Sequence, residues 1–457
     1  MYPVQKLSRL QVFWFHFCQS IVKLFYRQCE VQGLEHLPAN KPVLICANHA
    51  NALVDAVIIQ SFCPRLVHPL TRSGLFKNPL LRPVLTKIGA VPIYRRQDTT
   101  DGDVSKNVDS FSRVYEVFSQ GEVLLVFPEG QSHSDAHIHE LKTGAARMAL
   151  GAWAANGDVP VILPVGLNFT RKGKFRSRVF VKINPPVDTS PWLEEQTENN
   201  VKGLTSDIQQ ALADTTLNMD NWEDVDLLQR IERFFSMRHG KYRQRNLAQQ
   251  FRALKELNKA YQFLRQKEPA LIARINRHLH QFERLCKRCG IRDYHLTIKY
   301  RPMLVTRFIV RSLFILFVIL PVAMWGIITS GIPFFLTRHL SRLVAHGTDQ
   351  FDTAKMLLAL VLFPLTWVIE VAWVYMHYSR TTTIMFAVSI IIGASAALML
   401  RKQRELILEN TRVFFMFVRK KKLRRYLEAR RKELEAELAS LVRLAKQKLG
   451  QGVRHGS

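Results

Sequence analysis

The sequence predicts an α/β domain over residues 30–190, followed by an all-helical region over 191–300 and by C-terminal membrane helices within 301–400. Three observations predict this order. Apolar strand-like runs alternate with helical patterns up to about residue 185. Two apolar stripes at three- and four-residue steps then flank Glu268-Pro269. Finally, long apolar segments follow Arg307, each near the ~20 residues that cross a bilayer core.

Taken in order, residues 1–29 read as an amphipathic membrane-associated helix. Leu10, Phe13, Trp14, Phe17, Ile21, Leu24 and Phe25 fall on one helical face. That face suits a membrane interface or the flank of the domain behind it. His16, Gln19 and Lys23 interrupt the run and no small-residue cleavage site follows, so a signal peptide is not expected. Strands are predicted near 43–46, 91–94, 123–127, 161–168 and 179–183, and helices over 108–119 and 143–155. This predicts a mixed domain with a largely buried sheet whose strand order the sequence does not reveal. Leu247, Phe251, Leu254, Leu257, Tyr261 and Leu264 predict one arm of a helical hairpin. Leu271, Ile275, Leu279, Phe282 and Leu285 predict the other, with both stripes serving as core.

Within 301–400 the apolar segments are 308–336, 356–376 and 384–400, read as two to three transmembrane or re-entrant segments. Glu370 lies in the second and is expected to face another helix or water. Lys299, Arg301, Arg307 and Arg311 precede the segments, and a basic helical tail over 401–457 follows them. Both flanks favour the cytoplasmic side, which requires an even number of crossings. Either the first segment, broken by Pro321 and Pro333, is a re-entrant hairpin, which is the preferred reading, or the tail lies on the far side and the rule fails.

The net charge of +28 calls for an anionic partner. The tail carries seventeen Lys/Arg against six Asp/Glu and directly follows apolar segments, so anionic membrane lipids are expected and nucleic acid is not. Within the tail, Leu434, Leu438, Leu441 and Leu444 form one stripe of a solvated helix or short coiled coil. Six cysteines make no disulfide framework. Cys286 and Cys289, with His278 and His280 upstream, read as ordinary thiols on a helix, and no metal is expected.

Chemistry concentrates at strand ends. His49 follows the strand at 43–46, and Asp55 lies beyond it in Asn48-His49-Ala50-Asn51-Ala52-Leu53-Val54-Asp55. With Asn51 as N-cap of a helix over 52–60, the carboxylate reaches one imidazole nitrogen and leaves the other as a general base. A capped helix with a surface His and Asp is the plainer alternative. Gly89 leads a strand into Arg95 and Arg96, and Arg72 is a further guanidinium suited to phosphate. Glu129, Gly130 and Ser132 sit where the strand at 123–127 turns, and the glycine lets backbone approach a ligand. No serine-hydrolase elbow, P-loop, dinucleotide fingerprint or H-E-x-x-H is present.

Together these blocks resemble the glycerolipid acyltransferase family. Its four ordered blocks match His49/Asp55, Gly89/Arg95, Glu129/Gly130, and Pro164 within Val161-Ile162-Leu163-Pro164-Val165. The His–Asp spacing is one residue longer than the usual form and is similar to the glycerol-3-phosphate and dihydroxyacetone-phosphate acyltransferase subgroup. Gln131-Ser132 stands where the family usually has Thr-Arg, which puts the acceptor's identity in question.

The resemblance implies a membrane-bound O-acyltransferase of phospholipid biosynthesis. His49 would deprotonate an acceptor hydroxyl while Asp55 orients it. The alkoxide would attack acyl-CoA or acyl carrier protein, a co-substrate in a reaction needing no cofactor. Backbone amides near Gly130 would hold the oxyanion. Arg95, with Arg72 and Arg96, would hold the acceptor phosphate, and Glu129 would help place the acceptor. The acceptor would be glycerol 3-phosphate or dihydroxyacetone phosphate, or in a second reading lysophosphatidic acid or another lysophospholipid. The catalytic domain would face the cytoplasm. A non-catalytic lipid-binding scaffold is the alternative of another class, and the intact His49, Asp55, Glu129 and Gly130 argue against it.

Overall fold

A computed structural model describes residues 8–79, 82–94, 105–193, 197–238, 246–297, 302–345, 347 and 350–454. The chain divides into two units. The first is Met1–Trp222 with Asn246–Phe251 and Ala345–Met356, and the second is Glu223–Arg245, Arg252–Val344 and Leu357–Ser457.

The first unit begins with α1 (Arg9–Phe25), β1 (Gln28–Gln32), β2 (Val43–Ala47), α2 (Leu53–Phe62), β3 (Val67–Arg72), α3 (Arg82–Lys87) and β4 (Val91–Ile93). It continues with α4 (Ser105–Ser119), β5 (Val123–Val126), α5 (Gly144–Asn156), β6 (Val161–Phe169), β7 (Arg178–Ile183) and α6 (Glu198–Thr215). The seven strands form one sheet in the order β1-β7-β6-β2-β5-β3-β4. Every pairing is parallel except β6 with β7. Central β2 and β5 are buried along their whole length, which is why they read as unbroken apolar runs. The core between sheet and helices holds Leu44, Leu124, Ile162, Phe118, Met148 and Leu204.

Two strands were not foreseen. β1 is only partly buried and reads Gln28-Cys29-Glu30-Val31-Gln32, and β3 carries His68 and Pro69 in its interior. Helix α1 splits the two expectations for it. Cys18, Ile21, Val22 and Phe25 are buried, while Leu10, Phe13 and Leu24 stay exposed.

Buried Arg65 ties the end of the sheet opposite the strand C-termini. Its guanidinium donates to Pro38 O at 2.9 Å, to Lys41 O at 2.8 Å and to Gly121 O. Arg65→Met leaves those carbonyls without a donor and is expected to destabilise the unit by about 3 kcal/mol, read as a lower chemical denaturation midpoint.

The remaining helices are α7 (Trp222–Arg238), α8 (Leu247–Lys267), α9 (Pro269–Arg288), α10 (Pro302–Phe314), α11 (Leu320–Val344), α12 (Phe351–His377), α13 (Arg380–Arg419) and α14 (Lys421–Arg454). Helices α8 and α9 are the hairpin arms expected on either side of Glu268. Three helical stretches are long and apolar enough to cross a membrane: Val305–Val344, Phe351–His377 and Arg380–Leu400.

The re-entrant hairpin expected over 308–336 is corrected, because the chain there is helical throughout and does not reverse. A π-helical segment at Ile315–Ile319 immediately precedes Pro321. Its wider turn accommodates a residue that has no N–H and would clash with the carbonyl four residues back. Glu370 keeps one carboxylate oxygen buried without a partner among the described residues. In α14, Leu434, Leu438 and Leu441 are buried, while the Leu444 side chain is outside the described residues. Among the described residues the one cluster with metal-ligand spacing does not include Cys286 or Cys289. His278 instead bonds Glu437 at 2.9 Å, and His280 lies against Arg230.

Within the second unit, α11 and α13 meet at Gly326 and Gly393, where a Cβ on either would strike the other's backbone. Trp325 Nε1 donates to Ser389 Oγ at 3.0 Å beside that contact. Small residues let backbones approach this closely, so Gly393→Leu is expected to force the helices apart and cost about 1–3 kcal/mol, measured by thermal unfolding in detergent micelles.

Candidate active site

Parallel pairing of β2 with β5 sets Val43 to Cys46 against Val123 to Val126. Both strands therefore release their chains at the same edge of the sheet, where open α/β sheets bind ligands. From β2 comes the turn 48–52, and from β5 comes the loop after Phe127. On the other flank of β2, Asn48 anchors the turn to β6. Its Nδ2 donates to Leu167 O at 3.3 Å and its Oδ1 accepts from Leu167 N at 2.7 Å.

His49 Nδ1 lies 3.1 Å from Asp55 Oδ2. The same oxygen accepts from Ala50 N and Asn51 N, each at 2.7 Å. Asp55 is fully buried, and its carboxylate fixes both the imidazole and the backbone that carries it. Asp55 holds Nδ1, leaving Nε2 as the nitrogen for acid–base work on a ring that is partly open to solvent. The Phe127 ring stacks on it with centroids 3.9 Å apart. The expected N-cap at Asn51 is corrected. Helix α2 begins at Leu53, its cap position Ala52 makes no side-chain bond, and the Asn51 side chain has no partner among the described residues. Asp55, in the first turn of α2, instead reaches back to the Ala50 and Asn51 amides that precede the helix.

Glu129 joins the two turns. Its Oε1 accepts from His49 N at 2.8 Å, while Oε2 accepts from His139 N at 2.9 Å and from His133 Nε2. Burial pushes this carboxyl up, but the bonds from His133, His49 N and His139 N outweigh it and hold it below the usual carboxylate range. The structure therefore places Glu129 as a brace on the backbone of His49, with its oxygens already occupied. Gly130 has φ +80°, a conformation suited to glycine. Its amide donates to Phe127 O at 3.0 Å, and His133 N donates to His49 O at 3.1 Å. The Gly130 amide thus closes the turn and is not the free donor expected for an oxyanion. Ser132 is half-buried between them.

Arg72 ends β3, exposed and in register with Ile93 of β4. Arg95 and Arg96 are outside the described residues. Gly89 has φ +69° and accepts from His68 Nδ1 at 2.8 Å, and a Cβ there would meet that ring. Pro164 is buried within β6 opposite Cys46. Sequence reasoning missed Asn48, Phe127, His139 and Asp135. The only signal for the last two was the histidine spacing in His133-Ser134-Asp135-Ala136-His137-Ile138-His139.

His133, Asp135 and His139 offer ligand atoms within 4.8 Å of one another. Their rings, however, lie parallel with centroids 3.7 Å apart, so no point is in the plane of both. His139 Nε2 bonds Asp135 Oδ2 at 2.8 Å, and His133 Nε2 bonds Glu129. The group is arranged as a hydrogen-bonded relay, and a metal would require one ring to turn.

The chain is similar to known acyltransferases. The Acyltransferase family model matches residues 28–168, which contain every element just described around His49. Residues 28–168 thus match an Acyltransferase family domain. Glycerol-3-phosphate O-acyltransferase 1 of Saccharomyces cerevisiae is 33% identical over 132 residues, covering 27% of this chain and 17% of that protein. Glycerol-3-phosphate O-acyltransferase 2 of the same organism is 24% identical over 289 residues, covering 57% of this chain and 37% of that protein. A 1-acyl-sn-glycerol-3-phosphate acyltransferase of Borreliella burgdorferi is 27% identical over 173 residues, covering 37% of this chain and 65% of that protein. The chain thus matches well under half the length of the two yeast relatives.

Proposed function

We propose that this protein is a membrane-bound O-acyltransferase that moves a fatty acyl group from a thioester donor to the hydroxyl of glycerol 3-phosphate or dihydroxyacetone phosphate. The observation that carries this reading is the His49–Asp55 pair, 3.1 Å apart at the edge shared by β2 and β5, with Nε2 not engaged by Asp55. His49 Nε2 takes the proton of the acceptor hydroxyl as its oxygen attacks the thioester carbonyl. Asp55 stabilises the imidazolium that forms. The tetrahedral intermediate then expels the donor thiolate, which recovers the proton from His49. Neither cofactor nor metal enters these steps. Arg72, with Arg95 and Arg96, supplies guanidinium groups for the acceptor phosphate. The donor is acyl-CoA or acyl carrier protein.

The names of the two yeast relatives support glycerol 3-phosphate as acceptor, and that of the Borreliella relative supports lysophosphatidic acid as a second reading. The three long apolar helices fit a membrane protein whose substrate tails and product are lipids. The reading puts the catalytic domain on the cytoplasmic side, from the basic residues Lys299, Arg301, Arg307 and Arg311 that precede the first of them. The test presents glycerol 3-phosphate, dihydroxyacetone phosphate and lysophosphatidic acid separately to membranes carrying the protein, with acyl-CoA. Faster transfer to the small phosphates is expected. Transfer to lysophosphatidic acid alone would establish the second reading, and transfer to none would favour a lipid-binding scaffold.

A further inference from the structure

The first turn of α12, Phe351 to Met356, belongs to the same unit as the sheet. Asp352 Oδ2 accepts from Gly173 N at 2.9 Å, and Lys355 Nζ donates to Gly173 O. This double hold on the loop after β6 sets Thr353 beside the turn that carries His49. Thr353 Oγ1 donates to Asn51 O at 2.9 Å, across 302 positions of sequence. Asn51 O also accepts from Val54 N at 3.0 Å, the bond that starts α2.

The peptide thus held is the strained one. Ala52, the residue that follows, has φ +44° and ψ −124°, a region that an L side chain rarely adopts. Such a conformation persists only where its surroundings fix it. On one side of Asn51, its N–H is bound by Asp55 at 2.7 Å. On the other, its carbonyl is bound by the Thr353 hydroxyl.

We propose that Thr353 is a positioning residue for the His49–Asp55 pair. Its hydroxyl holds the Asn51–Ala52 peptide in the strained orientation that keeps the Ala50 and Asn51 amides, and with them His49, on the Asp55 carboxylate. Thr353 touches neither ring nor substrate, and it acts through the turn. The inference rests on the acyl-transfer reading for its kinetic readout but not for its structural one.

The test compares full-length wild type with Thr353→Val, Thr353→Ser and the double variant Thr353→Val/Ala52→Gly. Thr353→Val is expected to lower kcat about 10-fold with KM for acceptor and donor unchanged. Thr353→Ser, which keeps the hydroxyl, is expected to restore it. The added Ala52→Gly is expected to restore most of it, because glycine adopts positive φ without the Cβ clash. Amide hydrogen exchange is followed on the same proteins over residues 49–55. Faster exchange of Ala50 and Asn51 in Thr353→Val is expected, slowed again in Thr353→Ser. Unchanged exchange, or a kcat equal to wild type, overturns the proposal. A loss that Ser does not restore also overturns it, since it reflects general damage. If wild type transfers no acyl group at all, the activity reading fails, and the exchange comparison still decides the role of Thr353.

Discussion

Replacing Asp55 by asparagine is expected to lower kcat by about 10³–10⁴-fold while leaving donor KM nearly unchanged. The Asp55 carboxylate holds His49 Nδ1 and the amides of Ala50 and Asn51 on one oxygen. An asparagine carbonyl can still accept from the two amides, so the turn survives. What is lost is the negative charge that stabilises the imidazolium once the acceptor proton has moved. Steady-state kinetics read the kcat loss. A matching circular dichroism spectrum would show that the turn and the fold remain.

Glu129→Gln is expected to cost about 10²-fold in kcat and to loosen the domain, for a different reason. Each oxygen of Glu129 receives a hydrogen bond from the chain, His49 N on one side and His139 N with His133 on the other. Glutamine must turn an N–H₂ toward one of those donors, leaving that buried amide unpaired. The pH dependence follows from the same bonds. Because the folded Glu129 pKa is depressed, its contribution is fully present above the ordinary carboxylate pKa. It is lost only as pH falls through the lowered folded value. Wild type should therefore keep its catalytic turn through mild acid. Glu129→Gln should lose this acid-side dependence, which a comparison of unfolding midpoints from neutral to acid pH would show.

The parts of the site that the sequence made legible lie close together in the chain and have a strong local signature. Val43 to Cys46 and Val123 to Val126 announce buried parallel strands because both faces are covered. His49, Asp55, Glu129 and Gly130 follow within a few residues of those strand ends. Their identities were readable, but the use of their atoms was not. Glu129 suggests an acceptor contact until the donors from His49, His133 and His139 are seen to occupy it. Asn51 suggests a cap until Ala52 is found in the cap position and Asp55 is found reaching back to the Ala50 and Asn51 amides. Strand β3 was missed because His68 and Pro69 interrupt its pattern; the strand pairs with β5 over Val67 to Pro69 and with β4 only from Leu70 onward, so Pro69 lies outside the β4 ladder. The continuous helix at 302–344 was missed because Pro321 predicts a break, and a π-helical segment absorbs it. Thr353 carries no local signal, since its role exists only through a contact across 302 residues.

The most direct test of base-assisted acyl transfer is the initial rate of acyl-glycerol phosphate formation from labelled glycerol 3-phosphate and acyl-CoA. It is measured with purified full-length wild type and His49→Ala side by side in liposomes. The account predicts product from wild type and a loss of about 10²–10⁴-fold in His49→Ala, with donor binding retained. Equal rates for the two proteins would contradict it, because no other group in this turn is placed to take the acceptor proton.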